Sequence, residues 1–303
     1  MPVRPPALHP GASIAVVAPA SPPRSADEYQ AGLARLRQLY EVRTAWAPGA
    51  ERGYLSAPDA ARAAALHAAI EAPTVRAIFC VRGGYGALRL LDRIRWPLAR
   101  RHPTLLVGYS DITALQMALY ARAGWNSLSG PVVTEWGRAG PNTIEPFRGL
   151  AEGTRPLHAQ SLTPLSSGTA RGPLLGGNLS VLSRLVGTPY APSFQGSVLC
   201  LEDVAEAPYR VDRMLAHLQH AGILQAVDGV VLGDFSTEPH RSPSSLSLKE
   251  VFADYFANRP YPVATGLSYG HLLPRQTLPL GGLVSLTVRQ NSGQLRSLAP
   301  VVR

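Results

Sequence analysis

The first half of the chain alternates short apolar runs with segments whose apolar residues recur at helical spacing. Apolar runs at residues 13–18, 77–81 and 105–107 predict buried β-strands. Strands that alternate with helices predict a parallel sheet with helices on both faces, and therefore an α/β fold. The predicted helices of this half cover residues 25–40, 59–70, 87–94 and 110–122.

A break in the pattern divides the chain. From residue 141 to residue 173 the periodicity gives way to Gly, Pro, Ser and Thr, which is typical of a linker. We therefore predict an N-terminal α/β domain at 1–150, a linker at 151–172 and a smaller, mixed α/β domain at 173–303. The second domain is predicted to hold strands at 197–201, 228–232 and 262–265, helices at 178–186, 208–219 and 246–256, and a hairpin of 283–288 with 295–298.

A serine stands where the predicted strand at 105–107 ends. Gly108 terminates the apolar run, and Ser110 and Asp111 open the following helix. A strand, a sharp turn and a helix would lift the Ser110 hydroxyl out of the sheet and direct backbone N–H groups at whatever it attacks. Ser and Asp are also ordinary N-cap residues, so this stretch alone favours a helix cap over a nucleophile.

A glycine-rich segment, Arg82-Gly83-Gly84-Tyr85-Gly86, follows the predicted strand at 77–81, and we call residues 82–86 the glycine loop. Ligands of parallel sheets bind beyond the carboxyl ends of the strands, where this loop and the serine both fall. Paired glycines let a backbone N–H approach an oxyanion closely, an effect worth about 3 to 4 kcal/mol per donor. A phosphate cradle is disfavoured because the G-x-G-x-x-G frame and a following lysine are missing.

A serine hydroxyl becomes a strong nucleophile only when a base takes its proton and a third group orients that base. Among the eight histidines, His271 is distinguished by a glycine-flanked loop after the predicted strand at 262–265, although a plain turn residue also fits there. Glu202 ends the predicted strand at 197–201, where a buried, unpaired carboxylate would be costly. A solvated acid is the alternative for Glu202.

Composition narrows the classes of function. The chain has 303 residues, 46% of them hydrophobic, and no apolar run long enough to cross a membrane. The apolar run near the start is short and broken by Pro19, so it predicts a first strand rather than a signal peptide, and a cytoplasmic location. The net charge of +9 comes from scattered arginines without basic blocks, so no nucleic-acid partner is expected.

Cysteine and histidine usage points away from disulfides and metals. Cys80 and Cys200 both lie in apolar runs, which predicts buried free thiols. None of the histidines forms a metal-ligand pair of the H-E-x-x-H kind. We therefore expect neither a metal nor a cofactor.

Several ordered motifs resemble the LD-carboxypeptidase family of serine peptidases, a family that includes muropeptide LD-carboxypeptidases and microcin C self-immunity peptidases. Together the motifs are far more specific than any one of them, and they are spread over most of the chain. They are VRGGYGALRLL at 81–91, GYSDITALQ at 108–116, SGP at 129–131, LLGGNLSVLSRLVGTPY at 174–190, LCLEDVAEAPYRVDRMLAHLQHAGIL at 199–224, GLSYGH at 266–271 and TLPLG at 277–281.

The resemblance implies roles for particular residues. The family triad of Ser, Glu and His, in that chain order, falls on Ser110, Glu202 and His271. The family oxyanion hole falls on the N–H groups of Gly84 and Asp111. A site in the cleft between the two domains, and a homodimer, are also implied. A further candidate, a substrate contact in the Gly-Gly-Asn motif with a helix N-cap as its alternative role, is Asn178.

By resemblance the expected reaction is release of the terminal D-alanine from murein tetrapeptide during cell-wall recycling, with this small muropeptide as the partner. A microcin-immunity-type peptidase, which cleaves a peptidyl or aminoacyl nucleotide, is one alternative. However, the compact segment between Gly130 and Pro173 shows no evident aromatic loop to stack a base. A non-catalytic binder of cell-wall peptides would not need all three triad residues. An α/β-hydrolase esterase would carry glycine where Ile112 stands.

Overall fold

A computed structural model of the chain describes residues 2–237 and 246–303. One six-stranded sheet dominates the N-terminal half, and its strands are numbered here along the chain. In spatial order they are β11 (Leu278–Leu280), β5 (Ser127–Ser129), β4 (Leu105–Gly108), β3 (Val75–Cys80), β1 (Ser13–Val17) and β2 (Glu41–Thr44).

The five strands from β5 to β2 are parallel, and helices cover the sheet. Every residue of β1 and β4 is buried, which explains why both strands are continuous apolar runs. The predicted α/β fold is confirmed, although the predicted helix at 87–94 is a 3-10 helix, Leu88–Arg93. The α-helices are α1 (Ala26–Arg37), α2 (Asp59–Glu71), α3 (Trp96–Arg101), α4 (Thr113–Ala123), α5 (Val133–Trp136) and α6 (Pro141–Ala151).

The C-terminal half is built on a closed barrel. Neighbouring pairs from β7 to β10 are parallel and the others are antiparallel. Helices accompany these strands, so this half is a mixed α/β domain, as predicted. Its strands, in spatial order, are β10 (Val263–Thr265), β6 (His158–Ser166), β13 (Ser292–Ser297), β12 (Leu283–Arg289), β7 (Gly168–Asn178), β8 (Val198–Asp203) and β9 (Gly229–Phe235). Its helices are α7 (Leu179–Ser183), α8 (Pro208–His220), α9 (Ile223–Ala226) and α10 (Leu248–Phe256).

The prediction that residues 151–172 form a linker is wrong. This segment begins with the last residue of α6 and contains all of β6 and the start of β7. Within this segment Gly172 allows close packing rather than a turn, because a Cβ there would lie 2.0 Å from the carbonyl oxygen of Gly196.

The C-terminal half also completes the N-terminal sheet. β11 pairs antiparallel with β5, with Leu278 opposite Ser129. The C-terminal residue also contacts the N-terminal half, because the Arg303 carbonyl accepts from the Ala7 N–H at 2.8 Å. The predicted boundary at residue 173 therefore does not separate the two sheets, and the segment between β10 and β11 crosses from one to the other.

Two smaller predictions concern membranes and thiols. Within the two described ranges, no helix is long and apolar enough to span a bilayer. Cys80 and Cys200 are buried and free, as the apolar runs predicted.

Candidate active site

Ser110 lies on a strained turn between β4 and α4, within a short 3-10 helix, Ser110–Ile112. Its φ angle is +64°, a left-handed conformation that residues with a Cβ adopt only at a cost. No side chain caps this 3-10 helix or α4, so the helix-cap interpretation is wrong. The predicted sequence of strand, sharp turn and helix is confirmed.

His271 bridges Ser110 and Glu202. Its Nε2 lies 3.1 Å from Ser110 Oγ, and its Nδ1 lies 2.8 Å from Glu202 Oε2. Because the Glu202 carboxylate can only accept a hydrogen bond, the imidazole proton lies on Nδ1. Nε2 therefore carries no proton and accepts from the Ser110 hydroxyl. Glu202 is fully buried at the end of β8, whereas the His271 side chain is 22% exposed. The structure thus brings together three residues that the sequence raised in separate segments.

Asn178 is the last residue of β7, and its side chain donates hydrogen bonds to two buried carboxylates. Its Nδ2 donates to Glu202 Oε1 at 3.2 Å and to Asp203 Oδ1 at 2.9 Å. Its Oδ1 accepts from the Val181 N–H at 3.1 Å and from the Ser180 hydroxyl at 2.8 Å, which caps α7. The N-cap alternative for Asn178 is therefore confirmed, and a contact with substrate stays a prediction.

The glycine loop is packed directly against the nucleophile turn. A Cβ on Gly83 would lie 2.9 Å from Ser110 Cβ, so only glycine permits this approach. Ser21 fastens the loop from outside, because its N–H donates to the Gly83 carbonyl and its Oγ accepts from the Tyr85 N–H at 3.1 Å. Arg62 fastens the far end by donating to the carbonyl of the last loop glycine at 2.9 Å.

The backbone N–H groups of Gly84 and Asp111 have no acceptor among the described residues, and neither do those of Gly83 and Ser110 at the same junction. Gly84 is exposed and has a φ of +98°. The Asp111 carboxylate accepts from the Ala87 N–H at 2.8 Å, and burial raises the pKa of this carboxyl to about 6. The two predicted oxyanion donors are thus free to bind an anion beside Ser110, and their role stays a prediction.

Behind the site lies a trio of buried residues that the sequence patterns did not predict. Tyr109 donates its hydroxyl to Glu135 at 2.8 Å, and Glu135 forms an ion pair with Arg275. The Arg275 guanidinium lies 3.8 Å from the centre of the Tyr109 ring and donates to the Gly270 carbonyl at 3.0 Å. The Tyr109 ring also meets the His271 ring edge-on, with centroids 5.1 Å apart. These contacts therefore fix the turn that carries the serine and the loop that carries His271 in position relative to each other.

Fold and site together define a class of protein. The chain has two α/β units, a serine on a sharp strand-to-helix turn, and an imidazole held by a buried carboxylate. This arrangement suits removal of the hydroxyl proton during nucleophilic attack. In the ranges described, no cluster of three or more His, Cys, Asp or Glu side chains could hold a metal ion. The class is that of the serine hydrolases.

Comparison with known proteins identifies the family. Residues 14–130 match the LD-carboxypeptidase N-terminal domain, and residues 171–286 match the LD-carboxypeptidase C-terminal domain. The chain is 33% identical over 302 residues to a probable murein peptide carboxypeptidase of Bacillus subtilis (strain 168), covering 97% of this chain and 94% of the relative. The chain belongs to the LD-carboxypeptidase family and is a carboxypeptidase, as the motifs predicted.

Solved structures agree with this assignment. A muramoyltetrapeptide carboxypeptidase from Oxalobacter formigenes superposes with a TM-score of 0.85 at 29% identity, covering 94% of this chain and 98% of the other. The microcin C7 self immunity protein MccF, solved in complex with aspartyl sulfamoyl adenosine, superposes with a TM-score of 0.89 at 21% identity over 100% of both chains. The second likeness concerns the fold alone.

Proposed function

We propose that the protein is an LD-carboxypeptidase that releases the terminal D-alanine from murein tetrapeptide, in the cytoplasm, during cell-wall recycling. The observation that carries the proposal is the pair of contacts made by His271, at 3.1 Å to the Ser110 hydroxyl and at 2.8 Å to Glu202. The murein substrates named for relatives at 33% and 29% identity support the choice of peptide.

In the proposed reaction, His271 removes the proton of Ser110 as the hydroxyl attacks the carbonyl that precedes D-alanine. Glu202 holds the imidazole in the correct tautomer and stabilises its positive charge. The N–H groups of Gly84 and Asp111 donate to the oxyanion of the tetrahedral intermediate. His271 then protonates the departing amine, and a water molecule activated by the same imidazole releases the tetrapeptide's acyl portion from the serine.

Replacing the nucleophile tests the proposal. Ser110→Ala should lower the rate of D-alanine release from murein tetrapeptide by at least about 10³-fold, because no hydroxyl remains to form the acyl intermediate. Mass spectrometry of the digest measures the product. Ser193→Ala, which changes an exposed serine outside the site, is the control and should keep wild-type activity. Unchanged release by Ser110→Ala would overturn the catalytic role.

A second candidate is a microcin-immunity-type peptidase that cleaves an aminoacyl nucleotide, the kind of ligand bound in the MccF structure whose fold this chain shares. Base stacking needs an exposed aromatic surface, and both aromatic rings between residues 131 and 172, Trp136 and Phe147, are fully buried. Incubation with tetrapeptide and with aspartyl sulfamoyl adenosine separates the candidates. Cleavage of the nucleotide alone would replace the proposed function.

The proposed homodimer rests on the family resemblance, and the proposed cytoplasmic location rests on the early apolar run that predicts a strand. Light scattering of the purified protein should give twice the chain mass of 32.3 kDa. A mass of one chain, or recovery of the native protein outside the cytoplasmic fraction, would contradict these two points.

A further inference from the structure

A carboxypeptidase cuts one residue from the end of its substrate, so its site must also accommodate the terminal carboxylate. The following inference rests on the proposed function. Successive residues are about 3.8 Å apart, so this carboxylate lies close to the carbonyl that Ser110 attacks. An anion that enters a partly buried cleft needs hydrogen-bond donors and favours a positive charge. The group that binds it must therefore be a neighbour of Ser110 with donors to spare.

Most arginines around the site are already engaged. Arg62 is 3% exposed and donates to three backbone carbonyls. Arg89 forms an ion pair with Asp59 at 2.7 Å. Arg275 is 2% exposed and is paired with Glu135. None of these three can bind a ligand carboxylate without giving up contacts inside the protein.

Arg82 differs from them in position and in contacts. It is the first residue of the glycine loop and directly precedes Gly83, which packs on Ser110. Its Nη2 lies 3.4 Å from the place that a Cβ of Gly84 would occupy. Its Nη1 donates to the Pro22 carbonyl at 3.2 Å. Within the described ranges, no acceptor bonds to its Nε or Nη2 and no carboxylate forms an ion pair with it.

The electrostatic surroundings of Arg82 also suit an anion. Burial and the charge of Arg24 lower the pKa of the Arg82 guanidinium, against smaller opposing effects of Tyr109 and Glu28. A partly desolvated cation beside a second cation, with no carboxylate among the described residues close enough for an ion pair, is unfavourable in the free protein. A bound carboxylate would relieve both the desolvation and the repulsion.

We infer that Arg82 binds the terminal carboxylate of the substrate through its Nε and Nη2, while Gly84, in the same loop, donates to the oxyanion. The planar guanidinium fork fits a carboxylate with two parallel hydrogen bonds, which a neutral C-terminal amide cannot match. One loop would thus both bind the terminal carboxylate and stabilise the reacting carbonyl. Because the two groups are one residue apart, cleavage is restricted to the last residue.

The test compares a tetrapeptide ending in free D-alanine with the same peptide ending in D-alaninamide. Wild-type kcat/KM should be roughly 10- to 100-fold higher for the acid, the range of a charge-assisted pair. Arg82→Gln should lose this preference, mainly through a higher KM for the acid. Turnover of the amide also shows that the variant is folded. Arg82→Lys, which keeps the charge without the fork, should retain part of the preference.

The control is Arg93→Gln, which removes one positive charge from an exposed arginine outside the glycine loop and should change the preference by less than about twofold. Two results would overturn the inference: an unchanged preference in Arg82→Gln, or its loss in Arg93→Gln.

A binding experiment separates this inference from the proposed function. If the wild-type enzyme releases no D-alanine, the proposed function fails, but calorimetry in the Ser110→Ala background still reports on Arg82. The acid should bind about 10-fold more tightly than the amide, and adding Arg82→Gln should bring the ratio of dissociation constants to about 1. Equal ratios with and without Arg82 would refute its role.

Discussion

Asp111 links two parts of the site at the scale of a single residue. Its N–H is one of the two proposed oxyanion donors, and its carboxylate, 3% exposed, accepts from the Ala87 N–H at 2.8 Å. One side chain thus ties the nucleophile turn to the end of the glycine loop. Burial outweighs this hydrogen bond and the nearby Arg62 charge, and it raises the pKa of Asp111 to about 6.

The Asp111→Asn variant should gain stability relative to the wild type as the pH rises from 4 to 7. The pKa of Asp111 is about 6 when folded but about 4 when unfolded. The folded state therefore holds the proton more tightly, and this group lowers the wild-type free energy of unfolding by up to about 3 kcal/mol as the pH rises through that window. Asparagine keeps an acceptor for Ala87 and carries no charge.

Urea unfolding of variant and wild type at both pH values measures this effect. Only the difference between the two proteins is informative, because the pKa of Asp203 is also raised to about 6. A difference that stays flat, or that shrinks as the pH rises, would contradict the buried-charge explanation.

The residues that sequence patterns can identify are those with a local signal. Ser110 and Glu202 each follow an apolar run, and His271 lies between glycines, so all three were candidates before any contact was known. The ion pair of Glu135 with Arg275 has no such signal. It joins residues 140 positions apart, and its partners become neighbours only when both domains are folded.

At the scale of elements, β7 shows how glycine brings the barrel close to the first domain. A Cβ on Gly176 would lie 2.0 Å from the Cys200 carbonyl oxygen, and one on Gly177 would lie 2.5 Å from Thr113 Oγ1 at the start of α4. Sequence alone cannot distinguish glycine that permits such contacts from glycine that makes a turn. The wrong linker prediction arose from the same ambiguity at Gly172. The long apolar strands and amphipathic helices were predictable from their periodicity.

Gly176→Ala should lower the free energy of unfolding by about 3 kcal/mol or more, since it adds a clash with a fixed backbone to a strained φ of +124°. Gly187→Ala is the matched control. Gly187 also has a positive φ, +84°, but a Cβ there meets nothing within 4 Å, so it should cost about 1 kcal/mol. Chemical denaturation measures both variants, and equal losses would contradict close packing as the role of Gly176.

At the scale of the whole molecule, the two domains share a sheet. β11 supplies the last strand of the N-terminal sheet, and its Leu278 and Leu280 are at most 1% exposed there. Neither this strand nor the closure of the barrel was predicted. A strand of three residues has too short a pattern to stand out, and its partner β5 lies far away along the chain.

A fragment of residues 1–157 should be less stable than the same region in the full chain. It keeps five strands of the sheet but loses β11, and the two lost leucines together contribute about 3 to 6 kcal/mol of buried apolar surface. The full chain should unfold in one transition. Hydrogen exchange of the β4 and β5 amides compares the two proteins, and equal protection would show that the first domain is independent of β11.

The place of β11 in the sheet also bears on how the protein emerges from the ribosome. Synthesis runs from the N-terminus, so Ser110 is made early, whereas His271 and β11 appear together near the end. Until then β5 is an open edge that another nascent chain could pair with, and the serine lacks its proposed base. Completion of the sheet and arrival of the proposed base thus coincide, so a half-made chain that already contains Ser110 should have no hydrolytic activity.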